Sequence, residues 1–345
     1  MKNDILKLSA ILLAMTLLMA GCSGSQSGST AAPSAATPAP SSNETYEINI
    51  GGGHPPTSSL TICWNDVFIP RVQELTGGRV TVNHFENDQL GAEVDRIEQT
   101  QVGSIQITYC SEASSSINPK MSLFPLPFLF RDEAHYDTII DGAIGAKIVE
   151  DFPQYGLRPL GFFENGFRVI TNSKHPINSI DDVSGLKIRV SQSEIPIALF
   201  TAFGANTVAM SFGELYSALQ TGTVDGQENA FNTIASSKLY EVQKYFAETN
   251  HMMGTFCIIA NEEWWQSLPA DIQQAIQTAA SETSAYQRKL YRDQASADKQ
   301  ELLDNGMEGT TPDTAGFVAA AQSVYDDFYA KYPDYKALVE EIKAA

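Results

Sequence analysis

Positive charge is scarce in this 345-residue chain: 22 Lys and Arg stand against 41 Asp and Glu, a formal charge of −19. That balance excludes a nucleic-acid binder and a surface that clings to anionic lipid, since both need clustered cations. Cysteine is rarer still, with only Cys22, Cys63, Cys110 and Cys257 and no CxxC pair. Zinc ribbons and thioredoxin-like redox motifs are thereby excluded, and the last three cysteines read as small buried apolar residues. Beyond the N-terminus no apolar run approaches the ~20 residues of a membrane span. The five histidines, His54, His84, His135, His175 and His251, show no i, i+4 pairing. There is no G-x-S-x-G, H-E-x-x-H or G-x-G-x-x-G, and Gly51-Gly52-Gly53 lacks the Lys-Ser/Thr ending of a phosphate loop. The chain is therefore read as a non-enzyme with no metal and no cofactor.

What is present begins with a leader. Lys2 and Lys7 precede an apolar run from Leu8 to Met19 and then Ala20-Gly21-Cys22. A charged start, a short apolar stretch and small residues before a Cys form a secretory signal of the lipoprotein kind, residues 1–21, with Cys22 lipidated. Two or more acyl chains suffice for stable anchoring, at about 0.8 kcal/mol per buried methylene. Residues 22–44 are nearly all Ser, Gly, Ala, Pro, Thr and Gln, a flexible tether. This implies an extracytoplasmic chain held at the bacterial cell membrane, on a periplasmic or outer face.

The remaining residues suffice for one large or two modest domains. Tyr46–Ile50 alternates as a strand, 60–75 is helical and closed by Gly77-Gly78, and 79–85 is a second strand. A helix, a glycine stop, a short strand and a polar turn then recur at 90–109 and at 215–229. In open α/β sheets such strand ends are where ligands bind. Pro125 and Pro127 break 123–130 as a helix. Thr255–Ala260 is a buried strand, and Asn261 starts a helix. No Pro or Gly occurs between Pro269 and Asn305, so a helix of about 55 Å is expected there, longer than one lobe is wide. Two further helices, near 314–332 and 335–345, end the chain.

Arg168 and Arg189 are each flanked by β-branched or aromatic residues, which puts both on strands with buried neighbours. A buried guanidinium is costly unless a carboxylate or phosphate meets its planar fork. The structural alternative for each is a fixed internal ion pair. Phe212 and Tyr216, at helical spacing, read as core in preference to a ligand platform.

Four segments carry a resemblance: Pro125-Leu126-Pro127-Phe128-Leu129-Phe130, Asn165-Gly166-Phe167-Arg168, the stretch from Ile180 to Val190 that ends Lys187-Ile188-Arg189-Val190, and the stretch from Glu214 to Asn229 that ends Asp225-Gly226-Gln227-Glu228-Asn229. In this order they make the chain similar, from about Tyr46 onward, to the solute-binding proteins of tripartite ATP-independent periplasmic (TRAP) transporters, of the dicarboxylate-binding type. The resemblance implies a two-lobed, periplasmic-binding-protein-like α/β fold with hinge strands and a long helix bridging the lobes. Lobe 1 would hold 45–167 plus about 255–290, and lobe 2 would hold 168–254 plus about 291–345. It implies that Arg189 salt-bridges a substrate carboxylate, that Arg168 contacts the ligand and that Asn229 hydrogen-bonds it. Gln227 and His54 would line the same cleft, and Glu112 lies one position from a family glutamate. The ligand would be a small organic acid, a C4-dicarboxylate or a sugar acid. A monomer would pass it to one small and one large TRAP membrane subunit. The alternative is a ligand sensor that docks on a membrane signalling receptor.

Overall fold

The computed structural model describes residues 44–345, so the leader, Cys22 and most of the tether lie outside the described residues. Two sheets organise the body. The first has the order β2-β1-β3-β10-β4, with β1 Tyr46–Gly51, β2 Val80–Phe85, β3 Ile107–Cys110, β10 Met253–Asn261 and β4 Leu157–Phe167. β1 runs parallel to β2 and β3, while β10 is antiparallel to β3 and β4. The second has the order β11-β9-β5-β8-β6-β7, with β5 Val169–Asn172, β6 Lys187–Val190, β7 Asn206–Ala209, β8 Gly226–Asn229, β9 Tyr245–Ala247 and β11 Glu308–Thr310. This is a two-lobed α/β fold, one sheet to each lobe.

Two strand crossovers join the lobes. One is the single step through Arg168 from β4 to β5, and the other leads from β9 through His251 to β10. They touch each other where the Arg168 N–H donates to the Met252 carbonyl, 2.9 Å. The third link is the helix Ala270–Asp304, 35 residues without a helix breaker. At 1.5 Å per residue it is about 52 Å long. Gln287 of this helix grips the main chain of Glu164 in β4 on both sides, accepting from its N–H at 2.9 Å and donating to its carbonyl at 2.8 Å. Further on, Leu302 is buried in the second lobe's core with Leu215, Phe246 and Met307.

The sequence predicts one helix over 60–75, and the structure has a continuous one over 59–76 with a widened turn at Trp64–Phe68. Pro70 has no N–H to return to Asp66, and the ladder slips there to Ile69 N–H donating to the Trp64 carbonyl. Asn261 caps its helix by accepting from the Trp264 N–H at 2.7 Å. The helices Ala315–Lys331 and Lys336–Ala344 close the chain. The second returns to the first lobe, where the Ile342 carbonyl meets His135 Nε2 at 2.8 Å.

One element differs from its sequence reading. Gln227, Glu228 and Asn229 are expected in a polar turn beyond a strand, but they are the buried strand β8 at the centre of the second sheet. Burial is tolerated because each side chain has partners. Gln227 donates to Thr171 Oγ1, Glu228 meets Arg168 and His251, and Asn229 bonds Gln227 and Asn165. Cys63, Cys110 and Cys257 are buried free thiols, the last two paired across β3 and β10.

Candidate functional site

Between the two sheets lie two small adjoining cavities, each of about 50 Å3. His54, Glu93, Arg189, Ser191 and Phe212 line both. Arg189 stands at the middle of β6, with Ile188 and Val190 fully buried on either side of it in the strand. The residue is 3% exposed, and its guanidinium donates through Nε (3.0 Å) and Nη2 (2.7 Å) to the Met210 carbonyl. Among the described residues no carboxylate pairs with it. Burial, opposed by the charge of Glu228 and aided by that of Arg168, lowers its pKa to about 10. It therefore remains charged at neutral pH, lacking the counter-ion that its surroundings call for.

Arg168 lines the second cavity but is already engaged. Its Nε and Nη2 bond the Glu228 carboxylate, and Nη2 also donates to the Glu228 carbonyl at 2.9 Å. Burial works against the charge on Arg168, yet Glu228 outweighs it and raises the pKa. His251 Nε2 lies 3.3 Å from the same carboxylate, while its Nδ1 meets Thr249 Oγ1 at 2.7 Å. This triad pins the two crossovers to the central strand of the second lobe.

Asn229 lines the cavity beside Arg168, and Gln227 does not; it is fully buried behind Asn229 and accepts from Asn229 Nδ2 at 3.2 Å. Of the five residues named from the sequence, four thus share one wall and Gln227 orients one of them. His54 projects from the loop after β1 and is neutral, its pKa lowered to about 3 by burial and by Arg96 and Arg168. The Gly53 N–H donates to Tyr109 Oη at 2.8 Å, and Tyr109 Oη lies 2.7 Å from His54 Nδ1. Assigning the phenol proton to Nδ1 gives that proton an acceptor and leaves His54 Nε2–H as a donor.

Several lining residues escape a reading of the sequence. Phe212, expected in the core, packs on the His54 ring with centroids 5.3 Å apart and beneath the Arg189 guanidinium at 6.0 Å. Glu93 accepts from the Ser111 N–H (2.6 Å) and hydroxyl (2.8 Å). Glu112 accepts from Ser191 Oγ at 2.6 Å, a bond from one lobe to the other. Arg96 is buried and ion-paired to Asp88. For Arg96 the glycine triplet is the sequence signal. A Cβ on Gly51 would stand 2.8 Å from Arg96 Cδ, and one on Gly53 would stand 2.7 Å from Arg96 Nη2 and 2.9 Å from Asp88 Oδ1. The glycines make room for an arginine, not for a phosphate. Among the described residues no cluster of ligating side chains could hold a metal ion, and no helix is long and apolar enough to cross a membrane.

The model of the family described as bacterial extracellular solute-binding protein, family 7, matches residues 54–332. The 2,3-diketo-L-gulonate-binding periplasmic protein YiaO of Escherichia coli K12 is 34% identical over 266 residues, 75% of this chain and 80% of its own length. The sugar acid binding protein DctPAm of Advenella mimigardefordensis, solved in complex with galactonate, is 35% identical, with a TM-score of 0.84 over 87% of this chain and 97% of that one. A TRAP periplasmic solute-binding protein of Chromohalobacter salexigens with bound D-glucuronate is 32% identical, with a TM-score of 0.83 over 86% of this chain and 99% of that one.

Proposed function

We propose, for a chain that belongs to family 7 of the bacterial extracellular solute-binding proteins, that the cargo is a polyhydroxy monocarboxylate, a sugar acid held at Arg189. The chain is a solute-binding component of a TRAP transporter, not an enzyme. The observation that carries the substrate class is the charge count of the cavity wall. Arg96 is paired to Asp88 and Arg168 to Glu228, so Arg189 is the one lining guanidinium without a carboxylate among the described residues. One ligand carboxylate is matched and a second is not. Asp88, Glu93 and Glu112 supply acceptors suited to hydroxyl groups. Relatives that bind galactonate and glucuronate support the same reading.

Capture proceeds by closure. The carboxylate takes the unused edge of Arg189, Asn229 and His54 Nε2–H donate to its oxygens or to neighbouring hydroxyls, and Arg168 contributes field. The lobes, 45–167 plus about 255–290 and 168–254 plus about 291–345, swing about the crossovers, with the last helix riding on lobe 1. Exclusion of water strengthens each charged contact. A monomer tethered through lipidated Cys22 then presents the closed form to the small and large membrane subunits.

Calorimetry with a panel of aldonates and uronates tests this. Arg189→Ala is expected to weaken binding at least about 100-fold, in line with loss of one partner of a buried charged pair, and to melt within a few degrees of the native protein. Undiminished affinity would remove Arg189 from the site.

A further inference from the structure

We propose that Asp88, held by Arg96, reads the end of the ligand remote from its carboxylate: it accepts a terminal hydroxyl and refuses a second carboxylate, and so separates aldonates from aldarates. The inference rests on the sugar-acid reading above and deepens it.

Asn87 and Asp88 are consecutive non-glycine residues with left-handed backbone, φ 54° and 58°. Asn and Asp are the side chains that enter this region most readily, and two in succession turn the loop back sharply. The Asn87 N–H donates to the His54 carbonyl and the Asp88 N–H to the Gly52 carbonyl, both at 3.0 Å, and the Gly91 N–H returns to the Asp88 carbonyl at 2.9 Å. Below the loop, Arg96 is 2% exposed and spends Nη1 on Asp88 Oδ1 and on the Gly91 carbonyl. Its Nε is buried without a partner. Asp88 Oδ2 accepts from no described residue, and it lies 3.0 Å from where a Cβ on Gly213 of the other lobe would stand. The acceptor thus faces the lobe boundary, where Asp88 lines both the cavity that Arg189 lines and a neighbouring one that Gly213 lines.

An ion pair made only to fix the loop would leave ligand choice untouched, and this arrangement does not. With Asp88 charged, a carboxylate at this end meets an anion, and Arg96 is already neutralised. A hydroxyl there finds an open oxygen. Removing the Asp88 charge exposes a buried cation, so the same change should weaken hydroxyl recognition and admit a diacid.

D-galactonate and galactarate differ only in whether the far carbon is CH2OH or a carboxylate, and 6-deoxy-D-galactonate lacks that hydroxyl altogether. By calorimetry on the native full chain, galactonate is expected to bind about 10- to 100-fold tighter than the 6-deoxy acid, the range for a hydrogen bond to a charged group, and tighter still than galactarate. Asn favours left-handed backbone, so Asp88→Asn should keep the fold, checked by its melting curve. Its galactonate affinity should fall and its galactarate affinity rise, collapsing the preference. Adding Arg96→Gln should cancel the galactarate gain. Native protein that binds the three acids equally, or an unchanged galactonate-to-galactarate ratio in Asp88→Asn, would overturn the role of Asp88 while leaving Arg189 in place. Failure of every monoacid to bind would instead overturn the sugar-acid reading itself.

Discussion

Glu228 has no solvent exposure, yet its carboxyl is held down to about 2: burial pushes the pKa up, and Arg168 and His251 more than offset it. Its folded value lies below the unfolded value of about 4.3, so its contribution to stability is complete above that pH and is lost as the pH falls toward 2. Glu228→Gln should therefore flatten acid unfolding in that window. At neutral pH it should cost about 3–5 kcal/mol, since Arg168 would be left buried and unpaired; urea titrations at pH 7 and pH 3 check both. Glu164 has the opposite sign. Burial lifts it to about 7 despite Arg292 at 2.6 Å, and its Oε1 has no partner. The folded protein keeps a proton that the unfolded chain surrenders between about pH 4.3 and 7, so stability declines as pH rises through that interval. In Glu164→Gln the decline should vanish when unfolding is compared at pH 5 and pH 8. Arg168 and Arg189 were legible as cations awaiting anions; that Arg168 already owns one was not, because Glu228 is 60 residues away and adjoins it only through sheet pairing.

At the scale of elements, the hinge is concentrated in a few residues. Between Glu164 and Gly166 the pairing of β4 with β10 shifts register, Gly166 facing Gly254 and Glu164 facing Thr255. Asn165 falls in the extra position and reaches across to donate to Asn229 Oδ1 at 3.5 Å and accept from Thr233 Oγ1 at 2.8 Å. Gly166 has φ 69°, and a Cβ there would lie 1.7 Å from Tyr291 Oη on the long helix. Gly166→Ala must displace either the strand or the helix. We expect it to lower the melting temperature and to slow or abolish ligand-induced closure, followed by stopped-flow fluorescence. The strands and helices themselves were readable from the chain, because alternation, glycine stops and the breaker-free stretch before Asn305 are local signals. β8 was not, since a run of Gly, Gln, Glu and Asn gives no apolar pattern; its burial depends on partners supplied by β5 and by the crossovers.

For the whole molecule, ligand binding and stability should move together, because on the proposed reading ligand bridges the two lobes and so adds contacts that the unfolded chain lacks. At ligand 100-fold above its Kd the unfolding free energy should rise by about 2.7 kcal/mol, or roughly 5 °C in melting temperature. Arg189→Ala should show no such rise at the same concentration by differential scanning fluorimetry. The two-lobed plan was accessible through family resemblance and, more faintly, through the helix–glycine–strand pattern that recurs at 90–109 and 215–229; composition and hydropathy carry no mark of where one lobe ends. The loop proposed to select was invisible for a related reason: Asn87-Asp88 reads as an ordinary polar turn until Arg96 and Gly51–Gly53 are seen beneath it.

The glycine floor under Arg96 bears on how cargo preference can drift or be re-engineered. If, as proposed, grasping the acid group belongs to a strand of one half and discrimination to a short stretch of the other, a transplant of that stretch between homologues should retune diet without disturbing the grip. Such a graft would need its own matching underlay, for a bulkier residue at Gly51 or Gly53 would evict the guanidinium on which the new selectivity stands.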